Sequence, residues 1–371
     1  MGEIHSMKRI YSFNMLRILA AIGILLYHTY WNFGCTYGRA NYLISQSTYC
    51  MTTFFMLSGF VICYANYYKD FFSGNDELLL YIKKRFWSLF PTYFLIFVVF
   101  LYLYRNTTTL FQDLVTLPFQ LTLTYGFEFY GHIINWGAWF FSLIFMCYFI
   151  APFFIYIIKI INRKKKYYTI MFAWLLITVV PWIGINAYNN FFMRFCEFYI
   201  GMVLAALFIE GGMKKFRNEM IGVMGFLTLL IISCLGVYFL QIQIAKWGLN
   251  HVYLNGFNTL MNMCLIFCLA RTEGKFVSLL NNNLIIKTVS DYSMEIWCGT
   301  FFSSYIFAYY IPSSILGLKR IFLAIVITIF FAVLLGLYRN SVNRFIKNAK
   351  RIYMLISLGI LCMVLLSEIN I

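Results

Sequence analysis

Two residues that could take part in chemistry, Arg17 and His28, lie in the first apolar segment of the chain. They are eleven residues apart, which on an α-helix is about three turns and roughly 16 Å of rise, so they lie on one helix face. A guanidinium keeps its charge and suits an anionic group such as a phosphate. An imidazole titrates near neutral pH and suits a general base. Either residue alone would equally fit a snorkelling arginine or a hydrogen-bonded core histidine, but the pair in phase favours a functional site.

Carboxylates inside apolar segments form the second group of candidates. Arg194 and Glu197 are three residues apart and can neutralise each other on one helix face, so we expect a structural ion pair, with a role in lining a site as the alternative. Glu295 has no basic neighbour within its own segment, and isolated carboxylates in a membrane tend to be functional. We therefore count Glu295 as a candidate catalytic residue that would orient His28 or pair with Arg17. The ten cysteines and four histidines show no cluster with metal-ligand spacing, so we expect no metal site.

The composition predicts that these residues lie in a membrane. Of the 371 residues, 62% are hydrophobic and only 11% are charged, too few to cover the surface of a water-soluble protein of this length. The basic residues interrupt long apolar runs instead of forming a solvated patch, which argues against a nucleic-acid partner. The sequence therefore predicts an all-α integral membrane protein whose surroundings are the lipid bilayer.

Apolar runs close to the length of about 20 residues that a spanning helix needs recur along the chain. They predict a polytopic helical bundle of ten core transmembrane helices and a shorter eleventh at the C-terminus. The predicted spans are about 13–33, 49–68, 86–104, 133–158, 167–185, 191–210, 220–241, 252–270, 294–311, 318–338 and 352–368.

The distribution of charge predicts the orientation of the chain. There are 29 Lys and Arg residues against 13 Asp and Glu residues. When the spans alternate, twenty-two of the basic residues fall on the side of the N-terminus and five on the opposite side. Because cytoplasmic loops carry the excess of Lys and Arg, the N-terminus is predicted to be cytoplasmic. The high content of Phe, Tyr and Ile is typical of a low-GC bacterial source, so we expect a multi-pass protein of the bacterial cell (inner) membrane.

Six short motifs occur in the same order as those of the membrane-bound acyltransferase-3 family, and the chain resembles that family over about residues 9–338. The motifs are Arg17 with His28, Phe54-Phe55-Met56-Leu57-Ser58-Gly59-Phe60, Arg85 with Phe86, Pro91 and Tyr93, Trp139-Phe140 with Tyr148 and Pro152, Arg194-Phe195-Cys196-Glu197-Phe198-Tyr199-Ile200-Gly201, and Asp291-Tyr292-Ser293-Met294-Glu295-Ile296-Trp297. We expect an acyltransferase-3-like transmembrane domain over 9–338. Residues 339–371 would then form a basic cytoplasmic linker and the extra C-terminal membrane helix.

The chain departs from the family pattern at three positions. Ser88 stands where a second arginine is common, and Thr52 stands where an aspartate often precedes the phenylalanine pair. Cys298 stands where a histidine often closes the late segment. The last departure leaves His28 with more of the expected catalytic work.

The resemblance implies an O-acetyltransferase type of enzyme, which takes an acyl group, usually acetyl, from coenzyme A in the cytoplasm. The group goes to a hydroxyl, usually on a sugar of a surface glycan or envelope molecule. No cofactor is expected beyond acetyl-CoA or another acyl-CoA as donor substrate. Acyl transfer needs a base for the acceptor hydroxyl and donors for the developing oxyanion, and His28 is the natural base. Arg17, Lys84 and Arg85 could hold the phosphates of the donor, and Ser58 could lie where a ligand approaches the backbone.

Several of these residues have a structural interpretation as well. Lys84 and Arg85 also fit plain anchoring at the cytoplasmic face. Ser58, beside a glycine, also fits close helix packing by small residues. Trp139 and Tyr148 are expected to be packing or interface aromatics.

Two other functions fit a protein with many spans. One is a transporter or flippase for glycans or lipid-linked sugars, with buried charges along a passage and no covalent chemistry. The sequence shows no pair of Gly- or Pro-broken spans in two similar halves, which would be expected of such a transporter. The other is a glycan polymerase, which more usually carries a large outer loop. The ordered motifs favour the acyltransferase.

Overall fold

The computed structural model describes residues 9–74, 76–104, 110–126, 138–185, 188–211, 215–247 and 253–369, and in these ranges the regular structure is helical, without a strand. The α-helices are α1 (Phe13–Trp31), α2 (Asn41–Ile44), α3 (Cys50–Asn66), α4 (Glu77–Leu103), α5 (Leu110–Thr122), α6 (Trp139–Ile160), α7 (Arg163–Val179), α8 (Phe191–Glu210), α9 (Glu219–Trp247), α10 (Tyr253–Ala270), α11 (Lys275–Asn282), α12 (Leu284–Asp291), α13 (Ser293–Tyr309) and α14 (Gly317–Ile369). The predicted all-α class is confirmed for these ranges.

Seven of these helices are long and apolar enough to cross a membrane: α1, α4, α6, α7 with the turn after it, α8, α9 and α14. Helices α3 and α10 are shorter apolar helices, and α13 has 17 residues. Each of the eleven predicted spans overlaps one of these ten helices, although 133–137, at the start of the fourth span, and 252, at the start of the eighth, lie outside the described residues. The number of ten spans plus an eleventh stays a prediction.

The last two predicted spans share helix α14. Its 53 residues would measure about 80 Å if straight, far more than the roughly 30 Å of a bilayer core. The backbone leaves the helical conformation at Ala349, with φ −143° and ψ 45°. Two helical segments therefore meet at Ala349, and the predicted spans 318–338 and 352–368 lie on either side of it. The predicted division after residue 338 falls within the first of these segments, and the division itself stays a prediction.

Contacts between helix ends separate the two sides of the bundle. On the side of the N-terminus they include Arg9 with Asp291, Lys159 with the carbonyl of Lys69, and Phe216 with the carbonyl of Arg271. On the other side they include Arg320 with the carbonyl of Phe33, and Tyr42 with Tyr238. These are the two groups of ends that the alternating spans predict.

The centre of the bundle is the contact between α3 and α8, which depends on Gly59 and Gly201. A Cβ atom added to Gly59 would overlap the carbonyl oxygen of Phe198, and one added to Gly201 would overlap that of Met56. Only glycine lets the two backbones come this close. The close helix packing expected at the Ser58-Gly59 pair is therefore present at Gly59. It joins two of the motifs that carry the family resemblance.

Candidate functional site

Arg17 is the cation of the first candidate site, and the N-terminal turns of α1 position it. Its Nη1 lies 3.4 Å from Oδ1 of Asn14, one turn earlier on the same helix. The same oxygen accepts a hydrogen bond from Ser290 Oγ at 3.1 Å, which fixes the Asn14 side chain between α1 and α12. Among the described residues, no carboxylate oxygen lies within 4 Å of the Arg17 guanidinium. Its charge is therefore free to bind an anion.

Arg17 lines a cavity of about 220 Å³ at the meeting point of five helices. The other lining residues are Met51, Phe54 and Ser58 of α3, Leu89 of α4, Phe140, Ile144 and Tyr148 of α6, and Ser293, Met294 and Trp297 of α13. The cavity extends from Arg17 toward Met51 and Phe140, which lie near the first residues of α3 and α6. By the predicted topology, those two helices begin on the outer side, so the cavity leads from the cytoplasmic half toward the opposite face.

Ser58 lines this cavity directly, and Arg85 is connected to it through Tyr148. The guanidinium carbon of Arg85 lies 5.6 Å from the centre of the Tyr148 ring and 5.4 Å from that of Tyr81, a cation–π arrangement. Ser58 hydrogen-bonds the Tyr148 side chain. The Nε of Arg85 is buried, with no hydrogen-bond partner among the described residues. Lys84 is exposed and does not line the cavity, so three of the four predicted donor-binding residues come together.

His28 lies about three turns further along α1 and does not line the cavity of Arg17. Its Nδ1 is 3.1 Å from Nδ2 of Asn32, and that nitrogen donates to Ser304 Oγ at 2.9 Å. Its Nε2 is buried and has no hydrogen-bond partner among the described residues. The ring thus has one nitrogen held by the protein and one left for another molecule.

Arg194 and Glu197 form the structural ion pair that the sequence predicts. Arg194 Nη1 lies 2.8 and 3.0 Å from the two carboxylate oxygens, and Thr52 Oγ1 donates to Glu197 at 2.8 Å. Arg194 Nε donates to the carbonyl of Tyr188 at 2.7 Å. Its guanidinium also faces the rings of Phe55, Trp139 and Tyr188. Both charged side chains are buried and each has the other as its partner, so neither offers an unpaired charge to a ligand.

Glu295 has a different partner from the two that the sequence suggested. Its carboxylate lies 2.6 Å from Nη1 of Arg339, on the neighbouring helix α14, and its side chain is fully buried. Arg339 also donates to the carbonyl of Asp291 at 3.1 Å. The pair ties α13 to α14 and leaves His28 with Asn32 as its partner. Sequence reasoning overlooked Arg339 because it is distant in the chain and was assigned to a cytoplasmic linker.

A larger cavity of about 590 Å³ lies beside α6, but its lining is apolar apart from two threonines. It runs between α4, α5, α6 and α8, with Phe86, Phe145 and Phe149 among its lining residues. Without a cationic side chain it has no means of binding phosphates. The cavity of Arg17 is therefore the better candidate for the donor.

Three residues of the site were missed or misread in the sequence. Tyr148 was expected to be a packing aromatic, yet it lines the cavity and contacts both Ser58 and Arg85. Asn14 and Asn32 were not considered. They lie three residues before Arg17 and four residues after His28, which is the spacing of neighbours on a helix face. That spacing could have predicted Asn14 as a contact of Arg17 and Asn32 as a contact of His28.

These features define a helical membrane protein. One arginine, without a carboxylate partner among the described residues, lines a cavity between the helices, and a histidine further along the same helix has a hydrogen-bond partner for only one of its two ring nitrogens. Residues 10–337 match the family described as an acyltransferase domain, acyltransferase-3. The chain belongs to this family and is a membrane acyltransferase. No curated protein and no solved structure matches the chain significantly.

Proposed function

We propose that the chain is an O-acyltransferase that moves an acyl group, with acetyl as the first choice, from cytoplasmic acyl-CoA to a hydroxyl of a cell-surface or envelope glycan or lipid-linked sugar. It would do so in the bacterial cell membrane, with its N-terminus in the cytoplasm. The observation that carries the proposal is the guanidinium of Arg17, which lines a cavity without any carboxylate partner among the described residues.

The donor end of the site is assigned to Arg17 and Arg85. An acyl-CoA carries phosphates at one end and its thioester at the other, so it needs cations and, some distance away, the catalytic group. Arg17 lines the cavity and Arg85 contacts Tyr148 in its lining, and charge-assisted hydrogen bonds to phosphate are among the strong ones. The rise of roughly 16 Å from Arg17 to His28 on one helix suits a single extended donor.

The acceptor end is assigned to His28. In the proposed reaction, the acceptor oxygen bonds to the thioester carbonyl carbon while Nε2 of His28 takes the hydroxyl proton. The bond between that carbon and sulfur then breaks, and the proton passes from Nε2 to the leaving thiolate. The products are an ester and free coenzyme A. A positioned general base typically contributes about 10²- to 10⁴-fold to such a rate.

The experiment uses the purified full chain with radiolabelled acetyl-CoA and a membrane extract that supplies the acceptor. We expect a labelled product that is released by mild base, because esters are base-labile. His28→Ala should abolish its formation while expression stays normal, and His5→Ala, a change outside the described residues, should leave it intact. If no acyl group is transferred and the protein instead moves glycans across vesicles, the transporter is the correct function and the proposal is wrong.

A further inference from the structure

The side chains around His28 form a short chain of hydrogen bonds that leads away from its ring. Asn32 Nδ2 lies 3.1 Å from His28 Nδ1 and donates to Ser304 Oγ at 2.9 Å. Ser304 Oγ donates to the carbonyl of Thr300 at 2.7 Å. The backbone N–H of Asn32 also donates to the carbonyl of His28 at 2.8 Å. Asn32 is therefore held on both sides, by α1 and by α13.

The orientation of the Asn32 amide sets which nitrogen of the imidazole carries the proton. Since the amide nitrogen of Asn32 donates, Nδ1 of His28 accepts, and the neutral ring carries its proton on Nε2. A ring in this state has no lone pair at Nε2 for the acceptor hydroxyl. The amide must turn over and offer Oδ1 to Nδ1–H before Nε2 can take a proton. Ser304 satisfies both orientations because a hydroxyl can donate or accept.

We propose that Asn32, braced by Ser304, is the positioning residue that decides which nitrogen of His28 carries the proton, and that the turned amide is the reactive form. This inference rests on the proposed function, in which His28 Nε2 receives the proton of the acceptor hydroxyl. The residue is well placed for the task because Asn32 itself is exposed at the end of α1, whereas Nε2 is buried. Substitutions at Asn32 therefore do not bury a new charge.

The test compares Asn32→Asp with Asn32→Leu in the purified full chain, with acetyl transfer measured across a range of pH. An aspartate carboxylate can only accept hydrogen bonds, so it keeps the proton of His28 on Nδ1 and leaves Nε2 able to act as the base. Asn32→Asp should keep kcat within about 3-fold of the unaltered protein, and the acidic limb of its profile should move to higher pH because the carboxylate favours the protonated ring. Asn32→Leu should lower kcat by about 10- to 100-fold, the usual cost of losing such an orienting partner, with KM for acetyl-CoA unchanged.

Two matched controls accompany these variants. Asn41→Asp makes the same change at an asparagine whose Oδ1 accepts a hydrogen bond from the backbone N–H of Tyr37. It should leave the pH profile of acetyl transfer unchanged. Ser304→Ala should lower kcat in the same direction as Asn32→Leu, whereas Ser303→Ala, which breaks a contact to Thr328 on α14, should not. Equal losses in Asn32→Asp and Asn32→Leu without a shift of the profile would overturn the proposal, as would an equal shift in Asn41→Asp.

A readout that needs no turnover separates this inference from the proposed function. The ¹⁵N shifts of labelled histidine, with the His28 signal assigned by its loss in His28→Gln, report which nitrogen is protonated. We expect the proton of neutral His28 on Nε2 in the unaltered protein and on Nδ1 in Asn32→Asp. The same tautomer in both proteins would contradict the inference even if acyl transfer occurs. The expected exchange of tautomers would support the control of the His28 tautomer by Asn32 even if no acyl transfer is found, whereas the turned amide as the reactive form would then fall with the proposed function.

Discussion

Arg194 and Arg17 both lie in helices of the same bundle, but their surroundings differ. Arg194 contacts Glu197 at 2.8 Å and faces three aromatic rings. Arg17 has one long contact to Asn14 at 3.4 Å and lines a cavity. A buried charge with a partner keeps the fold intact, whereas a charge held without one is costly in a membrane and is retained for a ligand. Arg194 is buried and Arg17 is half-buried, and the clearer difference between them is the carboxylate partner that Arg194 has.

Two further cations resemble Arg194 in having a carboxylate partner. Lys166 pairs with Glu210, which also accepts from Tyr67, and Arg339 pairs with Glu295. Each pair joins two different helices, α7 to α8 and α14 to α13. Arg17 and Arg85 have no carboxylate partner among the described residues; Arg17 lines the cavity, and Arg85 contacts Tyr148, which also lines it. This division predicts which substitutions will unfold the protein and which will only stop its chemistry.

The largest effect is expected from Arg194→Met. It leaves the Glu197 carboxylate buried without its partner, which should cost about 3–5 kcal/mol of the free energy of unfolding. Thermal or denaturant unfolding of the detergent-solubilised protein measures this loss. A change below about 1 kcal/mol would mean that water or another cation replaces Arg194 as the partner of Glu197. The ion pair would then have no structural role.

The double variant Arg194→Met with Glu197→Leu sharpens the same point. Replacing a buried ion pair by apolar residues of similar volume is often neutral or stabilising, so most of the loss in the single variant should be recovered. The coupling between the two positions is obtained from a double-mutant cycle on the unfolding free energy. Simple addition of the two single losses would contradict the assignment of a paired charge.

A smaller effect, and one of a different kind, is expected from Arg17→Gln. Removing a charge-assisted hydrogen bond costs about 1.5–3 kcal/mol, equivalent to roughly a 10- to 150-fold increase in KM for acetyl-CoA. Because Arg17 has no carboxylate partner among the described residues, stability should change by less than about 1 kcal/mol. Steady-state kinetics and an unfolding curve on the same preparation test both parts. A loss of stability as large as that of Arg194→Met would remove the distinction between the two regions.

The smallest effect is expected from Lys84→Gln. Lys84 is exposed and does not line the cavity, so a surface charge of this kind should change KM by less than about 3-fold. Arg85→Gln, at the adjacent position, should have a larger effect because Arg85 stacks on Tyr148. Equal effects of the two substitutions would favour plain anchoring at the membrane surface for both residues.

The helical class and the positions of the apolar helices could be predicted because both follow from apolar runs and their length. The ion pair of Arg194 and Glu197 could be predicted because its partners are one helical turn apart. The partner of Glu295 could not, since Arg339 lies 44 positions later in the chain and the two meet only when α13 packs against α14. The role of Tyr148 was missed for the same reason.

In the proposed mechanism, the guanidinium of Arg17 binds the donor and His28 acts on it afterwards. Equilibrium binding of acetyl-CoA to the full chain in nanodiscs tests this directly, for the unaltered protein, Arg17→Gln and His28→Gln. We expect Arg17→Gln to raise Kd by about 10-fold or more and His28→Gln to bind as the unaltered protein does. An unchanged Kd in Arg17→Gln would contradict the proposed role of Arg17 in binding the donor.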